Sequence, residues 1–193
     1  MHSVCVFCGS NPGTDPAYTE AARSLGRMLA EANVRLVFGG GHVGLMGVVS
    51  NAALEAGGDI VGVIPKFLVE RELAHEGLTD LRIVGSMHER KAMMSDLSEG
   101  FIALPGGTGT LEEFFEVLTW AQLGEHQKPC GLLNVAGYFD PLLTVFDQMV
   151  AKGFLSPSNR DLVLVDSDTD GLLQKLDHYQ PPETVMWIDR SET

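Results

Sequence analysis

The chain predicts an α/β protein: a doubly wound parallel sheet with helices on both faces, built as a single domain. Three observations carry this. Short apolar runs alternate with helical stretches along the chain. Most of these runs are β-branched and lack polar alternation, as in strands covered on both faces. Three of them end in glycine turns, and ligands of such sheets bind beyond the carboxyl ends of the strands.

In chain order, the first strand reads at Val4–Phe7 and runs into Cys8-Gly9-Ser10-Asn11-Pro12-Gly13. A helix follows over Pro16–Ala32. The second strand, Val34–Phe38, runs into Gly39-Gly40-Gly41-His42-Val43-Gly44, and a helix continues over Gly44–Ala56. The third strand reads at Ile60–Ile64. The segment Pro65–Asp80 is long, charged and irregular, which fits a lid over a site. Strand Leu81–Val84 leads to helix Met87–Ser98, and strand Phe101–Leu104 to helix Leu111–Leu123. Strand Cys130–Leu133 precedes helix Pro141–Ala151, and strand Leu162–Val165 precedes helix Thr169–Leu176. Residues 1–179 form the domain; the tail, 180–193, has little periodicity and is either a loose end or an arm on a neighbour.

Composition narrows the function. The 193 residues, 45% of them apolar, suffice for a substantial core. Thirteen basic against 26 acidic side chains give a formal charge of −13, which disfavours nucleic-acid binding. An anionic ligand is therefore not drawn in by the global field and needs local donors. No apolar stretch reaches membrane-spanning length, and Met1-His2-Ser3 leads straight into a strand, so neither a membrane anchor nor a secretory leader is expected. Three cysteines, an odd count, favour a reducing cytoplasm over a disulfide framework.

The most informative stretch is Phe101-Ile102-Ala103-Leu104-Pro105-Gly106-Gly107-Thr108-Gly109-Thr110-Leu111-Glu112-Glu113. A strand enters a glycine turn, and the turn opens a helix. Glycines let the backbone approach a ligand closely. Unpaired N–H groups at the positive end of a helix dipole bind phosphate. Glu113 follows at once, placing a carboxylate beside that anion site. The structural alternative is a capping box, with Thr110 as N-cap and Glu113 reaching back to it. Helical spacing sets Glu113 with Val117, Trp120 and Ala121, apart from the polar stripe of Glu112, Glu116 and Thr119. This helix is apolar around most of its circumference, as expected for one buried by its own domain and by a second subunit.

Other motifs are weaker. Gly39–Gly44 matches the dinucleotide pattern G-x-G-x-x-G, but the next strand ends in Val63-Ile64-Pro65 without the ribose-binding acid, and Asp59 stands at its wrong end. A tight turn or a smaller phosphate ligand fits better. No Gly-Lys pair exists for a P-loop. Cys5 and Cys8 have redox spacing, but Cys5 lies inside a strand, and the six histidines show no metal spacing. Ser86 and Glu89 form a second capping box. Arg90 and Lys91 in that first turn oppose the helix dipole, so an anion is expected nearby, unless they are a solvated basic pair.

Together these residues resemble the LOG ("lonely guy") family of cytokinin-activating phosphoribohydrolases. The family's Pro-Gly-Gly-x-Gly-Thr-x-x-Glu motif stands at Pro105 through Glu113, and its Met-His-x-Arg-Lys element at Met87 through Lys91. Thr119-Trp120-Ala121-Gln122-Leu123-Gly124 and Gly131-Leu132-Leu133-Asn134 also match, and the likeness runs from Ser3 to Leu176. The resemblance implies a Rossmann-like fold without a dinucleotide, a homodimer, and no metal or redox cofactor. It implies hydrolysis of the N-glycosidic bond of adenosine 5′-monophosphates, prenylated at N6 or plain, to free base and ribose 5-phosphate. It makes Arg90 and Glu113 the catalytic pair. It makes Glu72, Lys91, Gly106, Gly107, Thr108, Gly109, Thr110 and Thr119 substrate contacts. Members have carried a lysine decarboxylase label, yet no pyridoxal-phosphate lysine motif is evident. In the implied chemistry Glu113 faces the ribose, and Arg90 holds the phosphate or orients Glu113. The rival reading is a non-catalytic nucleotide-binding sensor or carrier on the same fold; a DNA-associated protein is disfavoured by the charge.

Overall fold

The computed structural model describes residues 1–70, 74–75, 77–78 and 80–182. Seven strands, β1 (Ser3–Phe7), β2 (Arg35–Phe38), β3 (Ile60–Pro65), β4 (Asp80–Val84), β5 (Phe101–Ala103), β6 (Cys130–Leu133) and β7 (Val163–Asp166), form one sheet. Its order is β4-β3-β2-β1-β5-β6-β7, and every pairing is parallel. The chain therefore winds outward from β1 to β4, crosses back, and winds out the other way from β5. The crevice between β1 and β5 is the point where such sheets take ligands. Helices are α1 (Pro16–Glu31), α2 (Gly44–Glu55), α3 (Lys66–Val69), α4 (Met87–Asp96), α5 (Thr108–Leu123), α6 (Asp140–Ala151), α7 (Pro157–Arg160) and α8 (Thr169–Asp177).

Alternate strand residues divide into two cores. Cys5, Phe7, Val37, Val61 and Phe101 pack with Met94, Phe114, Val117 and Phe146 of α4, α5 and α6. Val4, Val6, Phe38, Ile60 and Ile102 pack with Leu25, Leu45, Val49 and Leu172 of α1, α2 and α8. Period-two alternation with both faces buried is why the strands read as unbroken apolar runs. Cys5 and Cys8 fall in opposite cores, and both are buried free thiols. Edge strand β4 is the least buried, with Ile83 exposed.

All seven expected strands and six expected helices are present, with ends shifted by a few residues. Two short helices, α3 and α7, and a 3₁₀ turn over Val135–Gly137 are additions. Four residues are too few to show a helical period, which is why they escape sequence reading. Within the expected lid, α3 follows β3, Ala74 bridges to Gly41, and the His75 N–H donates to Gly40 O at 2.9 Å. Its described residues are thus fastened to the glycine turn after β2. Glu72 and residues 183–193 lie outside the described residues.

Helices α1 and α2 cross in backbone contact at Gly26, where a Cβ would overlap Val49 O. Gly26→Ala is expected to destabilise the protein by roughly 1–3 kcal/mol through overpacking. Urea unfolding measures this; an unchanged midpoint would show that the helices can part freely.

Candidate active site

The loops after β1 and β5 meet first. The Gly9 N–H donates to Pro105 O at 3.1 Å, closing the crevice floor. A Cβ on Gly106 would overlap the Thr110 hydroxyl, so only glycine fits there. Gly107 is the N-cap of α5 and supplies no side-chain cap. The first bond back to the cap is Leu111 N–H to Gly107 O. Among the described residues no acceptor takes the N–H groups of Gly107, Thr108, Gly109 or Thr110. These are the orphan donors of a helix start, aligned with its dipole.

The capping-box reading fails here. The helix starts at Thr108, three residues before the expected Leu111, so Thr110 lies inside its first turn and Glu113 almost a turn further on. Glu113 is therefore released from any capping duty and faces Arg90, Oε1 to Nη1 at 3.6 Å, with both side chains nearly buried (13% and 10% exposed). Ser86 does cap α4, accepting from Glu89 N–H, while Glu89 accepts from Gly85 N–H, one residue beyond the expected partner.

Arg90 is fastened from three sides. Nε donates to Val63 O at 3.1 Å, Nη2 donates to Gly39 O at 3.0 Å, and Met87 Sδ lies 3.8 Å from Nη1. A cation in the first turn of α4 thus answers carbonyls at the ends of β2 and β3, besides Glu113. A Cβ on Gly39 would overlap the guanidinium, so the first glycine of the G-x-G-x-x-G pattern makes room for Arg90. Lys91 turns elsewhere. Its Nζ meets Glu112 Oε1 at 2.5 Å and Glu116 Oε1 at 2.9 Å. Burial works against its charge, but the two carboxylates more than offset this and hold its pKa above the usual value.

Ser10, Met46, Met87, Arg90, Thr110 and Glu113 line a cavity of about 260 Å³ over these groups. A crevice of about 280 Å³ adjoins it, sharing Ser10 and Gly107, with Tyr18 and Tyr138 on its far side. Burial raises the Glu113 carboxyl above the usual range; Arg90 opposes the shift, and Glu112 adds to it. Burial likewise pushes the Cys8 thiol far up, so Cys8 lines the cavity as an inert thiol.

The structure thus gathers Arg90, Glu113, Gly107, Thr108, Gly109 and Thr110 around one cavity, with Gly106 on the adjoining crevice. Lys91 and Thr119 do not line it. Thr119 donates to Phe115 O at 2.7 Å and lies roughly 16 Å along α5 from Thr108, at about 1.5 Å per residue. Ser10, Met46, Met87 and Tyr138 line the cavity or its adjoining crevice without having been assigned there from sequence; Ser10, inside a glycine turn, and Met87, at the head of the Met-His-x-Arg-Lys element, carried a signal. Among the described residues no three His, Cys, Asp or Glu are grouped to hold a metal.

The fold is that of a Rossmann-like protein, with its cavity at the carboxyl ends of the strands. The Moco carrier protein of Chlamydomonas reinhardtii shares the fold at 22% identity (TM-score 0.69, 91% of this chain and 96% of that one). The molybdenum cofactor binding protein of Rippkaea orientalis does so equally (22%, TM-score 0.68, 91% and 95%). A family model described as possible lysine decarboxylase matches residues 46–176. A probable cytokinin riboside 5′-monophosphate phosphoribohydrolase of Oryza sativa subsp. japonica is 54% identical over 179 residues (93% of this chain, 73% of the relative). Phosphoribohydrolases of the same name from Rhodococcoides fascians (52% over 172 residues; 89% and 87%) and Arabidopsis thaliana (50% over 178 residues; 92% and 83%) are similar too. The chain belongs to this LOG-type family, for which the decarboxylase label is the family model's description.

Native Glu113 keeps its proton to a higher pH than the unfolded chain does. Its contribution to stability therefore falls as pH rises from the ordinary carboxyl range through the raised native value. Glu113→Gln is expected to remove this descent and raise the thermal midpoint at pH 7. Midpoints followed from pH 4 to 8 check it; a parallel pair of curves would contradict the shift.

Proposed function

We propose that the protein hydrolyses the N-glycosidic bond of adenosine 5′-monophosphates, including N6-modified ones, releasing cytokinin or adenine and ribose 5-phosphate. The observation that carries this is the nearly buried Arg90–Glu113 pair beside four unengaged N–H groups at the start of α5. The named activity of relatives near 50% identity supports it.

The 5′-phosphate docks on the main chain of Gly106 through Thr110, where each charge-assisted bond contributes about 1.5–3 kcal/mol. This sets C1′ of the ribose against Glu113. As the C1′–N9 bond breaks, its electron pair leaves with the base and positive charge develops on the sugar. A carboxylate fixed in a cavity of low dielectric stabilises that charge far better than water does. Water then bonds to C1′ and passes a proton to Glu113, whose raised pKa suits a base; the departing base takes up a proton from solvent and leaves neutral, and Glu113 returns its own to solvent. The two carbonyls that hold Arg90 favour its role as the group that orients Glu113. No step draws on a metal or redox cofactor.

The unit is read as a cytoplasmic homodimer, with residues 1–179 as the enzyme domain and 180–193 as its tail. No helix of the described residues is long and apolar enough to cross a membrane. Apolar side chains stand exposed from the end of α5 to the end of α6: Leu123, Val145 and, at 88%, Phe154. A second copy covering that side would bury them. It also offers the way for Thr119 to reach a substrate, since Thr119 is remote from its own cavity. Glu72 and Lys91 complete the proposed contacts, Lys91 by exchanging a carboxylate for phosphate. The charge of −13 speaks against nucleic acid as a partner.

Chromatography of products from AMP, prenylated AMP and the matching nucleosides tests the reaction. Base release from the 5′-monophosphates alone is expected. Tight AMP binding with no free base after long incubation would instead mark a carrier. Glu113→Ala and Arg90→Ala should each lower turnover by roughly 10²–10⁴-fold with the fold intact by circular dichroism. Light scattering should give twice the chain's mass; a monomer at working concentration would remove the dimer.

A further inference from the structure

Tyr138 is held by a turn whose geometry serves neither the sheet nor the reacting groups. Asn134 directly follows β6 and braces this turn. Its Oδ1 accepts from Phe139 N–H at 2.7 Å, and its Nδ2 donates to Asp140 Oδ1 at 2.7 Å. The braced turn holds Ala136 at φ 50° and Gly137 at φ 72°, both left-handed. Ala136 is strained there, and a Cβ on Gly137 would crowd Asp140. The strained turn places the Tyr138 hydroxyl where it donates to Gly106 O at 2.6 Å. The ring rests edge-on against Tyr18 and Phe139, at centroid distances of 5.7 and 5.0 Å.

A trans peptide is planar, so the Gly106 carbonyl and the Gly107 N–H point in opposite directions. Fixing one fixes the other. The peptide joins two glycines, whose backbone has the widest rotational freedom. Nothing lies within 4 Å of a Cβ built on Gly107, so side-chain packing does not hold this residue on its open side. Leu111 N–H holds the Gly107 carbonyl and Gly9 N–H the Pro105 carbonyl, on either side of this peptide; among the described residues, Tyr138 is the hydrogen-bond partner of the Gly106 carbonyl itself.

We propose that Tyr138 is a positioning residue of the anion site. It locks the Gly106–Gly107 peptide so that the Gly107 N–H stays turned away from the phenol and toward the substrate's phosphate, in line with the donors of Thr108, Gly109 and Thr110. The inference rests on the reading that a 5′-phosphate docks at this turn. Freed of the lock, the peptide samples orientations in which its carbonyl faces the phosphate, and the phosphate is bound less often.

Tyr138→Phe removes the hydroxyl and keeps both ring contacts. The KM for AMP is expected to rise about tenfold, with kcat within twofold and the thermal midpoint unchanged, as for one lost charge-assisted bond. Calorimetric titration with ribose 5-phosphate should show the same weakening. Asn134→Ala, which loosens the brace without touching the glycine turn, should weaken ribose 5-phosphate in the same direction. Unaltered ribose 5-phosphate affinity in Tyr138→Phe would overturn the proposal, as would a fall in kcat at constant KM. Because that titration does not require turnover, an inactive wild type would sink the hydrolase reading while the anion lock was still judged on binding.

Discussion

A helix that starts without a cap sets the terms for the rest of the site. A side-chain cap at Gly107 would satisfy the first N–H groups of α5 and close them to a ligand. Glycine leaves them open. At a formal charge of −13 the protein repels an anion at long range, so capture depends on donors within hydrogen-bond reach. Among the described residues that line the cavity, the one cation, Arg90, is already engaged by two carbonyls and Glu113. In the proposed reaction, main-chain dipoles are thus left as the principal attraction for phosphate, and their aim depends on how firmly the glycine turn is held.

Glu113 bears the opposite constraint. Burial opposes its charge and raises its pKa, while Arg90 partly restores the ionised form. The arrangement is unfavourable for folding and, in the proposed reaction, favourable for chemistry, because the low dielectric that destabilises a lone carboxylate strengthens its attraction to a developing sugar cation. Had Lys91 pointed into the same cavity, it would have neutralised Glu113 and weakened that attraction. Instead its ammonium is paired with Glu112 and Glu116.

Much of this was legible in the chain. Every strand announced itself, because burial on both faces leaves continuous apolar runs. The stretch from Pro105 to Glu113 declared an anion site through its glycines. Sequence could not decide between cap and catalyst for Glu113, since Thr110 and Glu113 satisfy the capping-box spacing. The structure removes the cap reading: α5 starts at Thr108 with Gly107 as its N-cap, and Glu113 pairs with Arg90 instead. The partners of Arg90 were hidden for a related reason. Gly39 O and Val63 O lie 51 and 27 residues away along the chain and meet Arg90 only once β2 and β3 pair. Tyr138 carried no local signal at all, because its role is defined by a carbonyl on another strand's loop.

The decarboxylase description of the family can be weighed against the same geometry. A lysine that forms a Schiff base must lose its proton readily, which requires a lowered pKa. Lys91 is the lysine nearest the cavity in sequence, and its two carboxylates hold its pKa up. Among the described residues that line the cavity there is no lysine. The lining instead offers the Arg90 guanidinium, the carboxyls of Glu112 and Glu113, the latter with its proton affinity raised by burial, and bare amides. Those groups suit the departure of a neutral base from a phosphorylated sugar, and none of them is a nucleophilic amine.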